Sequence, residues 1–243
     1  MVSLSREGQG NLLFTPKDPL NTSGWQNWGG DFLWVAPQEC WGWPPISEFD
    51  QLMWDEIADE DGVHVVSPTW NGIVLARQFD FEDLDTLKVV NTIRNIGDTT
   101  QEWGLWNISQ IPTTYRRVDC ELSSEPKVFP YPERVSWDQL KSEAYVVVAE
   151  QSTGIHLELM GKTGQDYKIG GVGVEPIVTI TTDNMRLEKR WELPKGEVVY
   201  PHGCSVEFYQ CTEYLEVEIV WPLVNLEPGE EYTAVQFFTV AER

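Results

Sequence analysis

Residues 204–220 read CSVEFYQCTEYLEVEIV, two runs in which apolar and polar side chains alternate on either side of Thr212-Glu213. Alternation at period 2 marks a half-buried β-strand, so the segment predicts a hairpin with strands over about 204 to 210 and 214 to 220. If Glu207 pairs with Glu218, Phe208 falls opposite Val217 and Val206 opposite Ile219, and one face is wholly apolar. The other face then sets Glu207 against Glu218 and Tyr209 against Glu216. Like charges directly opposite each other are destabilising unless they are solvated, matched by a cation or sharing a proton. A concave, ligand-facing sheet accounts for them, and so does a fully solvated outer face. Lys168, Arg186, Lys189 and Arg190, on neighbouring predicted strands, are the candidate cations.

The same pattern extends outward from the hairpin. Short runs rich in valine, isoleucine, threonine and aromatics predict strands over about 63 to 68, 72 to 80, 87 to 96, 103 to 111, 144 to 149, 154 to 160, 174 to 181, 185 to 191 and 232 to 240. Turn signals separate them at Asp61-Gly62, Asn71-Gly72, Gly97-Asp98, Thr182-Asp183-Asn184 and Pro228-Gly229. So many strands imply an all-β chain of two packed sheets or a closed barrel. Only about 46 to 58 and 135 to 143 carry a helical period. No composition break or fixed repeat appears, so residues 1–243 read as one domain.

Composition narrows the function. The 243 residues carry a formal net charge of −22, which repels a phosphate backbone, so nucleic acid and anionic membrane are poor partners. The opening Met-Val-Ser-Leu-Ser-Arg-Glu-Gly lacks a basic and an apolar leader region, and no apolar run approaches membrane-spanning length; a cytosolic location is expected. Cys40, Cys120, Cys204 and Cys211 are widely spaced and read as buried free thiols. His64, His156 and His202 stand singly, so neither a metal nor a cofactor is expected. The acidic run 55–62 fails as a calcium loop, because Ile57 and Pro68 would occupy the first and last ligand positions, and reads as a solvated loop. Gly8-Gln-Gly10 and Gly171-Val-Gly173 lack the third glycine of a dinucleotide turn.

Twelve tryptophans are many for this length, and Trp25, Trp28, Trp34, Trp41 and Trp43 share one glycine- and proline-rich stretch that does not read as a regular strand. An indole joins a large apolar face to one donor, which suits sugars, whose surfaces alternate apolar and hydroxyl patches. Asp31, Gln38 and Glu39 lie among these rings. The plainer reading is that the rings plug a sandwich edge.

Several short segments, in order, resemble an uncharacterised galactose mutarotase-like family. They are Gly29-Gly30-Asp31-Phe32-Leu33-Trp34-Val35-Ala36-Pro37-Gln38, Trp43-Pro44-Pro45, Asn95-Ile96-Gly97-Asp98, Leu105-Trp106-Asn107, Lys168-Ile169-Gly170, Tyr200-Pro201-His202-Gly203-Cys204-Ser205-Val206-Glu207, Leu215-Glu216-Val217-Glu218, Pro222-Leu223 and Pro228-Gly229-Glu230. The resemblance implies an antiparallel β supersandwich with a sugar-sized concave cleft, as in the aldose 1-epimerases, and a chain shortened before Gly29. Those enzymes place a glutamate base in a late strand soon after a glycine, which makes Glu207 the candidate base. Their acid is a histidine where Trp103 stands here, and an indole cannot deliver a proton at neutral pH. His202 is the candidate substitute.

Three readings follow. The first is a carbohydrate-binding cleft using Trp34, Trp41, Trp43 and Trp106 as platforms, with Gln38, Lys168, Tyr209, Glu216 and Glu218 lining it. The second is a general acid/base enzyme, an aldose 1-epimerase-like isomerase with Glu207 as base and His202, Tyr209 or Lys168 as acid. The third is an acidic, aromatic module that docks a protein. The oligomeric state is left open.

Overall fold

The computed structural model describes every residue except 23, 60, 61, 131–134, 152, 153 and 163. The chain begins with β1 (Leu20–Thr22), β2 (Trp25–Asn27), β3 (Asp31–Ala36), a one-turn helix α1 (Ser47–Asp50), β4 (Asp55–Asp59), β5 (Gly62–Val66), β6 (Ile73–Phe81) and β7 (Thr86–Asn95). There follow β8 (Gln101–Pro112), β9 (Arg117–Leu122), β10 (Lys127–Val128), α2 (Trp137–Ser142), β11 (Val146–Gln151), β12 (Gly154–Met160) and β13 (Tyr167–Gly171). It ends with β14 (Gly173–Thr181), β15 (Met185–Trp191), β16 (Val206–Gln210), β17 (Tyr214–Val220), β18 (Val224–Leu226) and β19 (Glu231–Glu242).

Two large antiparallel sheets result. One runs β11-β12-β9-β14-β15-β19-β7-β6-β5-β4; the other runs β10-β13-β16-β17-β8, with β3 and β18 both paired to β8. The β16–β17 register sets Val206 against Ile219, Glu207 against Glu218, Phe208 against Val217 and Tyr209 against Glu216, as the alternation predicts. Phe208, Val217, Ile219, Leu33, Val35 and Leu105 turn inward and are fully buried with Leu157, Val178 and Leu187 of the ten-stranded sheet. Burial of each such side chain contributes about 1.5 to 3 kcal/mol, and truncating Phe208 to alanine would cost about 3 to 5 kcal/mol. Because side chains alternate across a strand, the same packing turns Glu207, Glu216, Glu218, Lys168 and Trp106 to the opposite face of the seven-stranded sheet.

The sandwich interior also holds charge. Asp31 ion-pairs with Arg77 and accepts from Ser109 Oγ at 2.6 Å, while Lys189 Nζ donates to Ser109 Oγ and the Val217 carbonyl at 2.8 Å. Burial brings the Lys189 ammonium down to about 7. Lys189 is therefore not the cation of the carboxylate face. Arg186 pairs with Glu188, and Arg190 lies 5.7 Å from the Phe237 ring, so of the four candidates only Lys168 serves it.

Several expectations need correction. The helix over 46 to 58 shrinks to α1, where only Phe49 is buried; Leu52 and Met53 are exposed, and 55–59 pairs with β5 instead. Cross-strand pairing outweighs a weak helical period. The acidic stretch is thus a hairpin strand rather than a loop, with Asp61 of the Asp61-Gly62 turn outside the described residues. The tryptophan-rich stretch does contain regular strands, β2 and β3, and β9 and β13 were not anticipated. Around 135 to 143 the helix is confined to α2, capped by Ser136 accepting from the Gln139 amide. Cys40 is exposed, whereas Cys120, Cys204 and Cys211 are buried free thiols. No helix among the described residues is long and apolar enough to cross a membrane.

Candidate functional site

The β16–β17 hairpin brings Glu207 and Glu218 side by side on the outward face of the seven-stranded sheet, both at 0% exposure. Gly170 of β13 lies opposite Glu207, and a Cβ there would come within 2.9 Å of Glu207 Cγ. The missing side chain is what lets this carboxylate lie flat on the sheet. Two residues earlier in β13, Lys168 is only 5% exposed. Its Nζ donates to Glu218 Oε2 at 2.8 Å and stands 2.8 Å from Glu207 Oε2, off the direction a hydrogen bond needs, so the second contact is Coulombic. The ammonium also lies 4.9 Å from the Trp106 ring centroid and 5.4 Å from that of Phe129.

His202 enters from the turn Pro201–Gly203 with a left-handed φ of 59°, a conformation rare for a residue with a side chain. Its Nδ1 lies 2.9 Å from Glu207 Oε1, and its Nε2 accepts the Gln38 amide at 3.3 Å. A ring nitrogen that accepts carries no proton, so the proton sits on Nδ1 and points at Glu207. Trp106 Nε1 donates to Glu218 Oε2 at 2.8 Å, and Gln110 Nε2 to Glu216 Oε1 at 2.8 Å. Three buried acceptors on this face, Glu207 Oε2, Glu218 Oε1 and Gln110 Oε1, have no hydrogen-bond partner, although Glu207 Oε2 has the Lys168 ammonium beside it.

These contacts separate the carboxyls. Burial opposes ionisation of Glu207, but Lys168 and the His202 hydrogen bond outweigh it and hold the group at about 2. Burial, reinforced by Glu218, raises Glu216 to about 8. Burial also raises Glu218, with Lys168 pulling against it and Glu207 adding to it. Lys168 is held above its ordinary range, because the two glutamates overcome its desolvation. An ionised and a protonated carboxyl thus share one sheet face, an arrangement that suits acid/base work.

The rings form one edge-on cluster. Trp34 contacts Trp25, Trp41 and Trp106 at 5.9, 5.8 and 5.5 Å between centroids. Trp34 and Trp106 are covered by these neighbours, Trp41 is half-buried, and Trp43 is 45% exposed and leans on Trp25 instead. Asp50 of α1 ties the cluster down by accepting from Trp25 Nε1 and Trp34 Nε1. Gln38 joins through its backbone, its side chain reaching the Gly42 carbonyl at 3.4 Å, and Tyr209 is half-buried beside Tyr214. Trp103 shares the alternation of Leu105 rather than Trp106 and packs on Trp70 at 5.7 Å, away from the carboxylates. Sequence reasoning missed Gln110, Asp50 and Phe129; for Gln110 the signal was its place opposite Glu216 once β8 is set beside β17.

A separate cavity of about 660 Å³ opens between β3, α1 and strands β5 to β7, lined by Leu4, Leu33, Phe49, Val65, Phe79 and the Asp31–Arg77 pair. Its walls are mostly apolar, and beside the Asp31–Arg77 pair its lining includes Met1 and Asp50, whose carboxyl burial raises.

No family model matches the sequence, and neither does any curated protein. Solved structures do. A galactose mutarotase-like protein from Lactobacillus casei superposes with a TM-score of 0.58 at 12% identity, covering 96% of this chain and 90% of that one. The candidate mutarotase YeaD of Salmonella typhimurium gives 0.56 at 13% identity over 98% and 82%. The Slr1438 protein of Synechocystis sp. PCC 6803 gives 0.54 at 12% identity over 94% and 75%. At these identities the likeness speaks to architecture, and the chain has the galactose mutarotase-like β-sandwich fold.

Proposed function

We propose that the outward face of the seven-stranded sheet binds a carbohydrate or sugar-like small molecule. Trp41 and Tyr209 supply its partly open rings, Trp34 and Trp106 back them, and Lys168, Glu216, Glu218 and Glu207 meet hydroxyl groups. The observation that carries the reading is the Glu207–Lys168–Glu218 cluster, buried beside indoles with acceptor atoms left over. Replacing buried charge by apolar side chains is often neutral or stabilising, so stability alone gives little reason for such a cluster. Titration calorimetry against neutral hexoses, uronic acids and disaccharides tests it, and heat from none of them would end it.

A second reading has its own support in the 2.9 Å contact between His202 Nδ1 and Glu207 Oε1. Glu207 would take the proton of the anomeric hydroxyl while an acid protonates the ring oxygen, so that the bond between C1 and the ring oxygen breaks as the carbonyl forms, each positioned group being worth about 10² to 10⁴ in rate. Polarimetry of fresh α-glucose or α-galactose detects such mutarotation. An unchanged rate in Glu207→Gln would remove the residue from that role.

A further inference from the structure

We infer that this site accepts neutral and cationic sugars, rejects anionic ones and prefers an amino sugar. The inference rests on the carbohydrate reading and adds the charge of the ligand.

The cation within the cluster is already committed, and the exposed Lys127 stands at its rim. Lys168 is locked between Glu207 and Glu218, and Lys127 Nζ donates to the His202 carbonyl at 3.0 Å and lies 4.5 Å from the Phe129 centroid. His202 directs its proton at Glu207 and accepts through its other nitrogen. Phosphates and carboxylates are held by arginine forks or lysines, and among the described residues that contact Glu207, Glu216 or Glu218 there is no arginine and no lysine besides Lys168. The sheet carboxyls are Glu207, held ionised, and Glu216 and Glu218, both shifted toward the protonated form, and the exposed Glu39 stands at the rim, 3.6 Å from His202 Nε2.

The unpartnered atoms point the same way. Glu218 Oε1 and Gln110 Oε1 belong to residues with no exposure, and both are acceptors. An entering phosphate or carboxylate brings further acceptors, whereas hydroxyls and an ammonium bring donors. The neighbouring aromatic faces already hold the Lys168 ammonium at 4.9 and 5.4 Å, so the surroundings suit a second cation.

Calorimetry at about pH 7, where a sugar amine still carries its proton, compares glucosamine and galactosamine with glucose, galactose, glucuronate, galacturonate and glucose 6-phosphate. The amino sugars should bind about tenfold more tightly than their parent hexoses, a step of about 1.4 kcal/mol, and the anionic sugars more weakly than the parents. Glu207→Gln should shrink the amino-to-neutral ratio, because Glu207 is the carboxyl held ionised, and if that variant fails to fold the ranking of amino, neutral and anionic sugars on the native protein decides. An anionic sugar that binds as tightly as its parent, or an amino sugar with no advantage, overturns the inference while the carbohydrate reading stands. Silence toward every sugar overturns both.

Discussion

Lys168 decides what the two facing glutamates can do. Without a cation they would share the cost of burial and of mutual repulsion, and Glu218→Gln would relax Glu207. With Nζ at 2.8 Å from each, that variant should change the Glu207 titration little. Lys168→Met is the informative change, because breaking a buried ion pair by removing one partner costs about 3 to 5 kcal/mol. Urea unfolding at pH 7 should show that loss, and acid should shrink it as the stranded carboxylates take up protons. Glu207 is depressed, so its contribution is complete above its ordinary value of 4.5 and is lost as pH falls toward about 2. Glu216 behaves oppositely. Raised to about 8, it favours the folded state fully below 4.5 and loses that advantage as pH climbs to about 8, because the unfolded chain ionises first. Glu216→Gln should therefore match the native protein near pH 5 and melt at a higher temperature at pH 8. Melting curves that run parallel across that window would remove the raised carboxyl.

Among the elements, α1 matters for one side chain. Asp50 accepts from the indoles of both Trp25 and Trp34, joining the helix to β2 and β3 and fixing the aromatic cluster over the carboxylates. Asp50→Ala leaves two shielded donors without an acceptor and should cost about 1 to 3 kcal/mol in urea unfolding, with near-ultraviolet circular dichroism reporting the loosened indoles. An unchanged midpoint would mean that the rings hold themselves. How far elements could be read from sequence depended on alternation. The hairpin was legible to the residue because each strand has one apolar face. β3, DFLWVA, is buried on both faces, and YKIGG of β13 is nearly so; neither alternates, and both escaped. β9 does alternate, but RVDCEL offers only three apolar positions over six residues, too short a signal beside its charges. The candidate site was legible only where one register controlled it. Glu207, Glu216 and Glu218 follow from the hairpin, while Asp50 and Gln110 act on partners that lie far off in sequence.

The charge imbalance belongs to the whole molecule. Of 17 basic side chains, Arg77, Lys168 and Lys189 are buried against Asp31, Glu207 and Glu218, so interior pairing leaves the formal charge of −22 almost wholly on the surface. Exposed pairs such as Arg116–Asp183 and Arg186–Glu188 offset little of it, since surface salt bridges contribute about 0 to 1 kcal/mol each and are themselves screened. Repulsion among the remaining carboxylates acts over the Debye length, which shrinks from about 10 Å at 0.1 M to about 3 Å at 1 M. Expansion relieves that repulsion, so it disfavours the compact state, and screening should favour it. The melting temperature should therefore rise as sodium chloride increases from about 10 mM to about 0.5 M. The buried cluster is screened far less, so Glu216→Gln should keep the same salt increment while changing the pH response. A melting temperature that is flat or falls with salt would mean that exposed ion pairs outweigh the surplus of carboxylates. An increment lost in Glu216→Gln would mean that the carboxylate face is open to ions.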